Sequence, residues 1–245
     1  MVPTMRRPLI VAVLALALAG CGGGITTPAP AAATPAALVA VTPAPAAPTP
    51  DRALDALGLL PVKGRAPKTG YSRDQFGPTW GDADRNQCDT RNDMLKRDLT
   101  GETFKPGTHD CVVLTGKLAD PYSATDIDFL RGARTSNLVQ IDHVVPLSDA
   151  WQKGAQQLSA EQRYALANDP ANLQATGGKL NESKGDGDAA TWLPPSVRYR
   201  CTYVARIVTV KIKYRLWVTQ PEHDAIATIL SSCPDQPIIT EVAAA

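Results

Sequence analysis

The chain has 245 residues and contains 25 Lys and Arg against 24 Asp and Glu, so its formal net charge is +1. This length accommodates one domain with accessory segments. A charge this close to zero argues against binding nucleic acid through charge spread over the whole surface, although local basic patches remain compatible with it.

The N-terminal segment has the features of an export signal. Arg6 and Arg7 precede an apolar run over residues 8–19, which is too short to span a bilayer and typical of a signal-peptide core. The run ends in Leu-Ala-Gly-Cys21, which resembles the bacterial lipobox. The resemblance implies removal of residues 1–20 and lipidation of Cys21; an ordinary secretory signal is the alternative. We expect an exported protein, lipid-anchored to the outer face of the bacterial cell membrane.

A tether and a connector are predicted to follow the lipidated cysteine. Between residues 25 and 50 there are 7 Pro, 10 Ala and no charged residue, so this part cannot form a core. In the polyproline II conformation it would extend to about 80 Å. We assign residues 21–50 to the lipidated cysteine and tether, 51–70 to a connector that begins with a short helix, 71–235 to the folded domain, and 236–245 to a tail.

The first part of the folded domain is predicted to hold a helix and two strands. Asp89 or Thr90 is a suitable N-cap for a helix with an apolar stripe. Residues 111–118 favour a strand that turns at Gly116, and residues 138–145 favour a second apolar strand.

Two helices are predicted near the C-terminus. Pro221 favours the start of the second helix, with Thr219 or Gln220 as its N-cap. A short connection between the helices makes them antiparallel neighbours. The first helix is indicated by apolar residues at spacings of four, three, four and three, which place them on one helix face: Tyr203, Ile207, Val210, Tyr214 and Trp217.

Four cysteines remain when Cys21 is set aside, and an even number in an exported chain indicates two disulfides. The helix-then-strand order favours Cys88 with Cys111, and the antiparallel helices favour Cys201 with Cys233. A zinc site formed by all four is the alternative, although no pair has the short spacing typical of such sites.

A run of basic residues near the C-terminus allows two interpretations. No acidic residue lies between positions 198 and 215. This run could form a face that follows the phosphates of a nucleic acid, or an ordinary solvated helix face, and the sequence leaves both open. The basic residues are Arg198, Arg200, Arg206, Lys211, Lys213 and Arg215.

Three short motifs carry the chemistry. Asp142-His143-Val-Val-Pro comes first, Asn172-Leu-Gln follows, and Asn181 and Lys184 lie nine and twelve residues after Asn172. In this order and spacing the chain resembles the HNH endonuclease family, and in particular the exported branch related to the C-terminal domain of GmrSD-type restriction enzymes. The resemblance covers roughly residues 71–233.

The resemblance implies a role for each of these residues in hydrolysing a phosphodiester. A neutral histidine is a suitable general base near pH 7, which assigns that role to His143. Asp142 and Asn181 would supply oxygen ligands to one divalent cation, Mg²⁺ or Mn²⁺. Asn172 would orient the loop that carries the histidine. Lys184, and with it Arg91, would contact phosphate.

The sequence departs from the family pattern at two places. Asn181 replaces the final histidine of the motif, a position where other ββα-metal nucleases also use asparagine. The positions of a zinc-binding cysteine pair in many HNH proteins are here Gly177 and Leu180, so we expect no structural zinc and expect the disulfides to brace the domain instead.

We therefore predict an α+β fold with a small ββα-metal (HNH-like) core, additional helices and two disulfides. The predicted function is a monomeric, metal-dependent endonuclease that acts on DNA in preference to RNA and is held at a membrane by its lipid. A catalytically inactive HNH scaffold that binds nucleic acid or serves the cell envelope is the second hypothesis. An unrelated hydrolase that uses His143 is the third.

Overall fold

A computed structural model of the chain describes residues 50–239. The export signal, Cys21, the tether up to residue 49 and the last residues of the predicted tail lie outside this range. The described part contains helices α1 (Ala53–Leu57), α2 (Thr90–Asp98), α3 (Leu147–Gln152), α4 (Ala160–Ala167), α5 (Gly178–Lys184), α6 (Arg200–Lys213) and α7 (Gln220–Ser231). Its strands are β1 (Leu99–Phe104), β2 (Val113–Asp120), β3 (Thr125–Leu130), β4 (Val139–His143) and β5 (Leu173–Gly177). The fold is thus of the mixed α and β class that the sequence predicts.

Strands β1, β2 and β3 form an antiparallel sheet in that order. The turn predicted at Gly116 is wrong, because β2 continues through Gly116 to Asp120 and pairs Gly116 with Phe129. A side chain at position 116 would press against Leu99 of the neighbouring strand. The glycine therefore permits close packing inside the strand and does not mark its end.

Strands β4 and β5 form a separate antiparallel pair, and α5 follows β5 directly. The register opposes Asp142 to Gln174 and His143 to Leu173. A Cβ atom at Gly178 would collide with the carbonyl oxygen of Asn137, so only glycine lets α5 begin this close to the segment before β4. The two strands and the helix thus form one compact unit.

Two apolar clusters hold the elements together. One packs α1, α3, α4, α6 and α7 against each other, and the other packs α2 against β2, β4 and β5. The predicted face of α6 is buried, since Tyr203, Ile207 and Val210 are at most 2% exposed. The Thr219 side chain accepts a hydrogen bond from the Glu222 amide, which confirms it as the N-cap of α7.

Both predicted disulfides are present. Cys88, just before α2, is bonded to Cys111, just before β2. Cys201 in α6 is bonded to Cys233, which follows the end of α7. The second bond joins the start of one helix to the end of its antiparallel neighbour, as the two amphipathic patterns predict.

The basic run at 198–215 does not form a continuous face, so neither predicted interpretation describes it. Arg206 and Lys211 are 4% and 0% exposed. Arg206 donates to the carbonyl oxygens of Ala171 and Leu173, and Lys213 pairs with the buried Asp169. Much of this positive charge is therefore used inside the fold.

Lys211 belongs to a set of six alternating charges, five of them buried, which we call the Lys153 cluster. The Lys153 ammonium lies 2.7 Å from carboxylate oxygens of Asp149, Asp188 and Glu222. Lys211 approaches Glu222 to 2.7 Å, and Arg65 reaches Asp149 and Asp188 at 2.9 and 2.7 Å. Three cations and three carboxylates balance each other, so this cluster joins α3, α6, α7 and the segment around Arg65 without excess charge.

Residues 51–70 also pack onto the folded part. Ala53, Ala56 and Leu57 of α1 are buried in the cluster that contains α6 and α7. Backbone hydrogen bonds join Ala53 to Gln236 and Ile238 to Asp51. None of the helices between residues 50 and 239 is both long and apolar enough to cross a bilayer.

Candidate functional site

His143 is the last residue of β4, and its ring is held from two sides. Its Nε2 atom lies 2.9 Å from the carbonyl oxygen of Ala167, which can only accept a hydrogen bond. Nε2 therefore carries the proton, and Nδ1 has no hydrogen-bond partner among residues 50–239. The ring stacks on Trp80 at a centroid distance of 5.9 Å. This arrangement selects the tautomer whose Nδ1 can accept a proton.

Asn172 fixes the backbone immediately after the histidine. Its Oδ1 atom accepts a hydrogen bond from the Val145 amide at 2.8 Å, and its Nδ2 donates to the carbonyls of Val145 and Leu166. The Asn172 carbonyl also accepts from the Val144 amide at 2.7 Å. Asn172 is fully buried, so its contacts orient the end of β4 and leave no surface for a ligand.

Asp142 lies beside His143 but contacts a different set of elements, as adjacent residues on a strand do. Its Oδ1 accepts a hydrogen bond from the Lys184 ammonium at 2.9 Å, and its Oδ2 accepts one from the Tyr122 hydroxyl at 2.7 Å. Lys184 also donates to the carbonyl oxygen of His143 at 2.7 Å. Lys184 is 3% exposed, so these contacts make it a positioning group for the end of β4.

Asn181 projects from α5 towards the same strand. Its Nδ2 donates to Oε1 of Gln140 at 2.8 Å, which fixes the amide group. Within residues 50–239 its Oδ1 accepts no hydrogen bond. Asn181 therefore presents an oriented carbonyl oxygen that is available to a ligand.

These side chains meet in one cavity, which we call the β4 cleft. The polar residues that line it are Tyr71, Arg73, Asp142, His143, Asn181 and Asp186. Asp142 and His143 share the cleft because β4 ends at His143 and Pro146 then leads into α3. The structure thus brings together the predicted base and both predicted metal ligands, with Lys184 and Asn172 supporting them from behind.

Arg91 is not part of this cleft. Its guanidinium lies at the other end of β4, where Nη2 donates a long hydrogen bond of 3.4 Å to the carbonyl of Val139. Burial lowers the pKa of Arg91, and the nearby charge of Arg131 acts in the same direction. The structure therefore does not bring Arg91 together with the other predicted site residues in the β4 cleft.

Burial dominates the electrostatics of the cleft. It lowers the pKa of His143 to about 3, although the accepting carbonyl of Ala167 favours the protonated ring. Burial also raises the pKa of Tyr122, and the adjacent Asp142 carboxylate adds to the effect. His143 is therefore neutral at physiological pH, and Tyr122 is a hydrogen-bond donor to Asp142.

The oxygen donors of the cleft suit a hard divalent cation. Asp142 retains acceptor capacity on both carboxylate oxygens, and Asn181 adds an amide oxygen. Mg²⁺ is commonly bound through one or two protein oxygens while water and phosphate complete its shell. No group of three or more His, Cys, Asp or Glu side chains in the described part of the chain is placed to hold a metal by itself. Asp142 and Asn181 are thus the residues of the cleft that could hold such a cation.

Residues 89–229 match the family model of the C-terminal domain of GmrSD restriction endonucleases. The match covers more than half of the chain and includes β4, β5, α5 and every motif residue of the cleft. The chain belongs to this GmrSD C-terminal family. Membership of this family indicates a nuclease-related role. The matched residues do not include Tyr71, Arg73 or the tether.

A relative and a second family model agree with export. An uncharacterized secreted protein of Arthroderma benhamiae is 36% identical over 189 residues, which span 74% of this chain and 84% of the relative. Residues 5–21 match the prokaryotic membrane lipoprotein lipid attachment site. The protein is therefore exported and anchored by lipid, as the lipobox at Cys21 predicts. No solved structure matches the chain.

Three residues of this GmrSD C-terminal family member escaped the sequence analysis. Tyr122 follows β2 and reaches Asp142 from a distance of 20 residues along the chain. Arg73 precedes the family match, and Asp186 lies two residues after Lys184. Tyr122 and Arg73 have no fixed spacing to the motif residues, so only the folded arrangement could reveal them. The short distance from Lys184 was a signal that could have found Asp186.

Proposed function

We propose that this protein is a divalent-metal-dependent endonuclease that hydrolyses phosphodiester bonds, with DNA as the favoured substrate. The observation that carries the proposal is the His143 ring. Its tautomer is set by Ala167, and its unpaired Nδ1 lies in the same cleft as Asp142 and Asn181. Strands β4 and β5 with α5 would then be the ββα-metal unit of the HNH type.

In this proposal His143 removes a proton from a water molecule through Nδ1. The water oxygen attacks phosphorus, the bond from phosphorus to the leaving oxygen breaks, and solvent returns a proton to that oxygen. Asp142 and Asn181 would hold the cation, which when bound stabilises negative charge on the phosphate and the leaving oxygen. Lys184 and Tyr122 keep the Asp142 carboxylate in place, and Asn172 keeps the end of β4 in place.

A low pKa makes His143 a weak base in the free protein. A phosphate anion next to the ring favours the protonated form and raises its pKa, which brings the base closer to the operating pH. Burial thus keeps the ring neutral before substrate binds. The substrate itself would then strengthen the base.

One group of observations favours the alternative of an inactive scaffold that binds without turnover. His143 is only 8% exposed and is covered by Trp80. Both oxygens of Asp142 already accept hydrogen bonds, and asparagine occupies position 181. A scaffold of this kind would retain the fold and bind a divalent cation without cutting nucleic acid.

Plasmid nicking by the purified chain distinguishes the two candidates. We expect nicking with Mg²⁺ or Mn²⁺, none with EDTA, and a loss of about 10²- to 10⁴-fold in His143→Ala, because a general base contributes about that much. His223→Ala is the matched control, since His223 lies on α7 with Asp224 as its neighbour. Equal rates for wild type and His143→Ala would refute the enzyme, and metal binding without nicking would support the scaffold.

A further inference from the structure

Arg73 is the first residue of a short 3₁₀ turn, Arg73–Phe76, that lies outside the family match. It lines the β4 cleft, and it also lines a second, smaller cavity on the Trp80 side of His143. His143 is in the walls of the same two cavities. Arg73 and His143 are therefore neighbours in the walls of both cavities.

The charge of Arg73 is not used by the fold. Among residues 50–239 its guanidinium forms no ion pair and no hydrogen bond, and the residue is exposed. The carboxylates of the cleft have other cations, because Asp142 pairs with Lys184 and Asp186 pairs with Lys68. The cleft thus contains a guanidinium with all five N–H donors free.

Two other arginines of the protein, Arg97 and Arg163, are used by the fold. Arg97 donates to the carbonyls of Pro170 and Leu173, and Arg163 donates to the carbonyls of Gln75 and Leu158. Those guanidiniums join segments of the fold, and their donors point at fixed acceptors. Arg73 has no such structural function, which leaves its donors to a ligand.

The turn that carries Arg73 is held firmly. Phe76 is 2% exposed and packs against Tyr71 and Trp151 with ring centroids about 6.3 Å apart. Arg163 donates to the Gln75 carbonyl at 2.6 Å, which ties the turn to α4. A side chain on a fixed turn loses less freedom on binding than one on a mobile loop.

We propose that Arg73 binds the phosphate group of the substrate in the β4 cleft, through its non-bridging oxygens and beside Nδ1 of His143. The guanidinium fork matches two phosphate oxygens, and Arg73 lines the same cleft as His143 and Asp142. The inference rests on the proposed function for its substrate, a phosphodiester. It assigns the contact with the reacting group to a residue outside the GmrSD C-terminal match.

The test uses the full chain in detergent with Arg73→Ala, Arg73→Lys and the control Arg134→Ala. Arg134 is exposed and, like Arg73, has no ion pair or hydrogen bond to residues 50–239, but it lies on the loop before β4 and not in the cleft. We expect kcat/KM for DNA nicking to fall about 10- to 100-fold in Arg73→Ala, because a charge-assisted hydrogen bond is worth about that factor. Arg73→Lys should retain part of the rate, and Arg134→Ala should change it less than about twofold.

A second measurement does not depend on turnover. Inorganic phosphate, compared with chloride at equal ionic strength, should raise the melting temperature of the wild type and of Arg134→Ala but not of Arg73→Ala. If phosphate stabilises only the chains that keep Arg73 while no chain cuts DNA, the binding site stands and the proposed nuclease falls. If the chains cut DNA and Arg73→Ala cuts at the wild-type rate, the nuclease stands and this inference falls. Equal stabilisation of all chains by phosphate, or of none, also overturns it.

Discussion

The Lys153 cluster and the β4 cleft both place charged groups inside the protein, but they differ in how completely those groups are paired. In the Lys153 cluster each of three cations meets carboxylates, and Lys153 alone contacts three of them. In the cleft, Nδ1 of His143, Oδ1 of Asn181 and the Arg73 guanidinium have no partner within residues 50–239. A polar network whose members satisfy each other stabilises the fold, whereas one with oriented, unused donors and acceptors is able to bind a ligand.

Removal of one cation from the Lys153 cluster is expected to have the largest effect on stability. Lys153→Met leaves Asp149, Asp188 and Glu222 buried with too little positive charge, which should lower the free energy of unfolding by about 3–5 kcal/mol. Denaturant titration at pH 7 measures this. A loss below about 1 kcal/mol would mean that the Lys153 cluster does not stabilise the fold. The cluster and the cleft would then not differ in the way described above.

We expect metal to stabilise a chain that lacks Lys184, which supports the cleft, more than a chain that lacks Lys153. In Lys184→Met the Asp142 carboxylate loses its cation, and a bound divalent ion can replace that charge. Metal at about 100 times its Kd should then restore about 2.7 kcal/mol of stability. Melting curves with and without Mg²⁺ compare Lys184→Met with Lys153→Met, which should gain no more than the wild type. At one fixed Mg²⁺ concentration Lys184→Met should gain more stability than Lys153→Met, because only in Lys184→Met is the Asp142 carboxylate left without its cation. Equal gains would show that removing Lys184 does not strengthen metal binding at Asp142.

The smallest expected effect is a pH dependence that comes from His143. Burial lowers the pKa of the folded state to about 3, against about 6.5 in the unfolded chain. The unfolded chain therefore binds the proton first, so this contribution to stability is complete above pH 6.5 and is lost as the pH falls towards 3. Between pH 7 and pH 5 the loss amounts to about 2 kcal/mol.

Replacing His143 isolates the contribution of its ring to the pH dependence of stability. Unfolding free energies at pH 7 and pH 5 should differ by about 2 kcal/mol less in His143→Gln than in the wild type, because the other titrating groups are common to both chains. An unchanged pH dependence would show that the ring is not desolvated in solution. The cleft would then be more open than the 8% exposure of His143 implies.

The sequence predicted the helix pair α6–α7 more completely than it predicted the β4 cleft. The helix pair α6–α7, the Thr219 cap and both disulfides followed from local periodicity and from antiparallel order. Strands β1 and β3 were missed because they are mostly exposed and rich in polar residues, so neither shows a buried apolar alternation. Short polar strands are specified by their neighbours in the sheet and much less by their own residues.

At the site, spacing predicted the residues of the motif but not their surroundings. Asp142, His143 and Asn181 share a cleft because β4, β5 and α5 are consecutive in space, as the resemblance implies. Tyr122 and Arg73 come from segments whose distance along the chain from the motif is arbitrary. The Lys153 cluster was missed for the same reason, because its members come from segments far apart along the chain and only the fold brings Lys153 and Lys211 together in the interior.

The backbone bridge between the two ends of the described chain has a mechanical consequence for a lipid-anchored protein. Asp51 and Ala53 are hydrogen-bonded to Ile238 and Gln236, and α1 packs against α6 and α7, whose ends are linked by the Cys201–Cys233 bond. Tension that arrives through residue 50 therefore enters a covalently clamped helical side of the molecule. That load would be shared across the apolar cluster of α1, α6 and α7, which also holds Val144 and Val145 directly after His143.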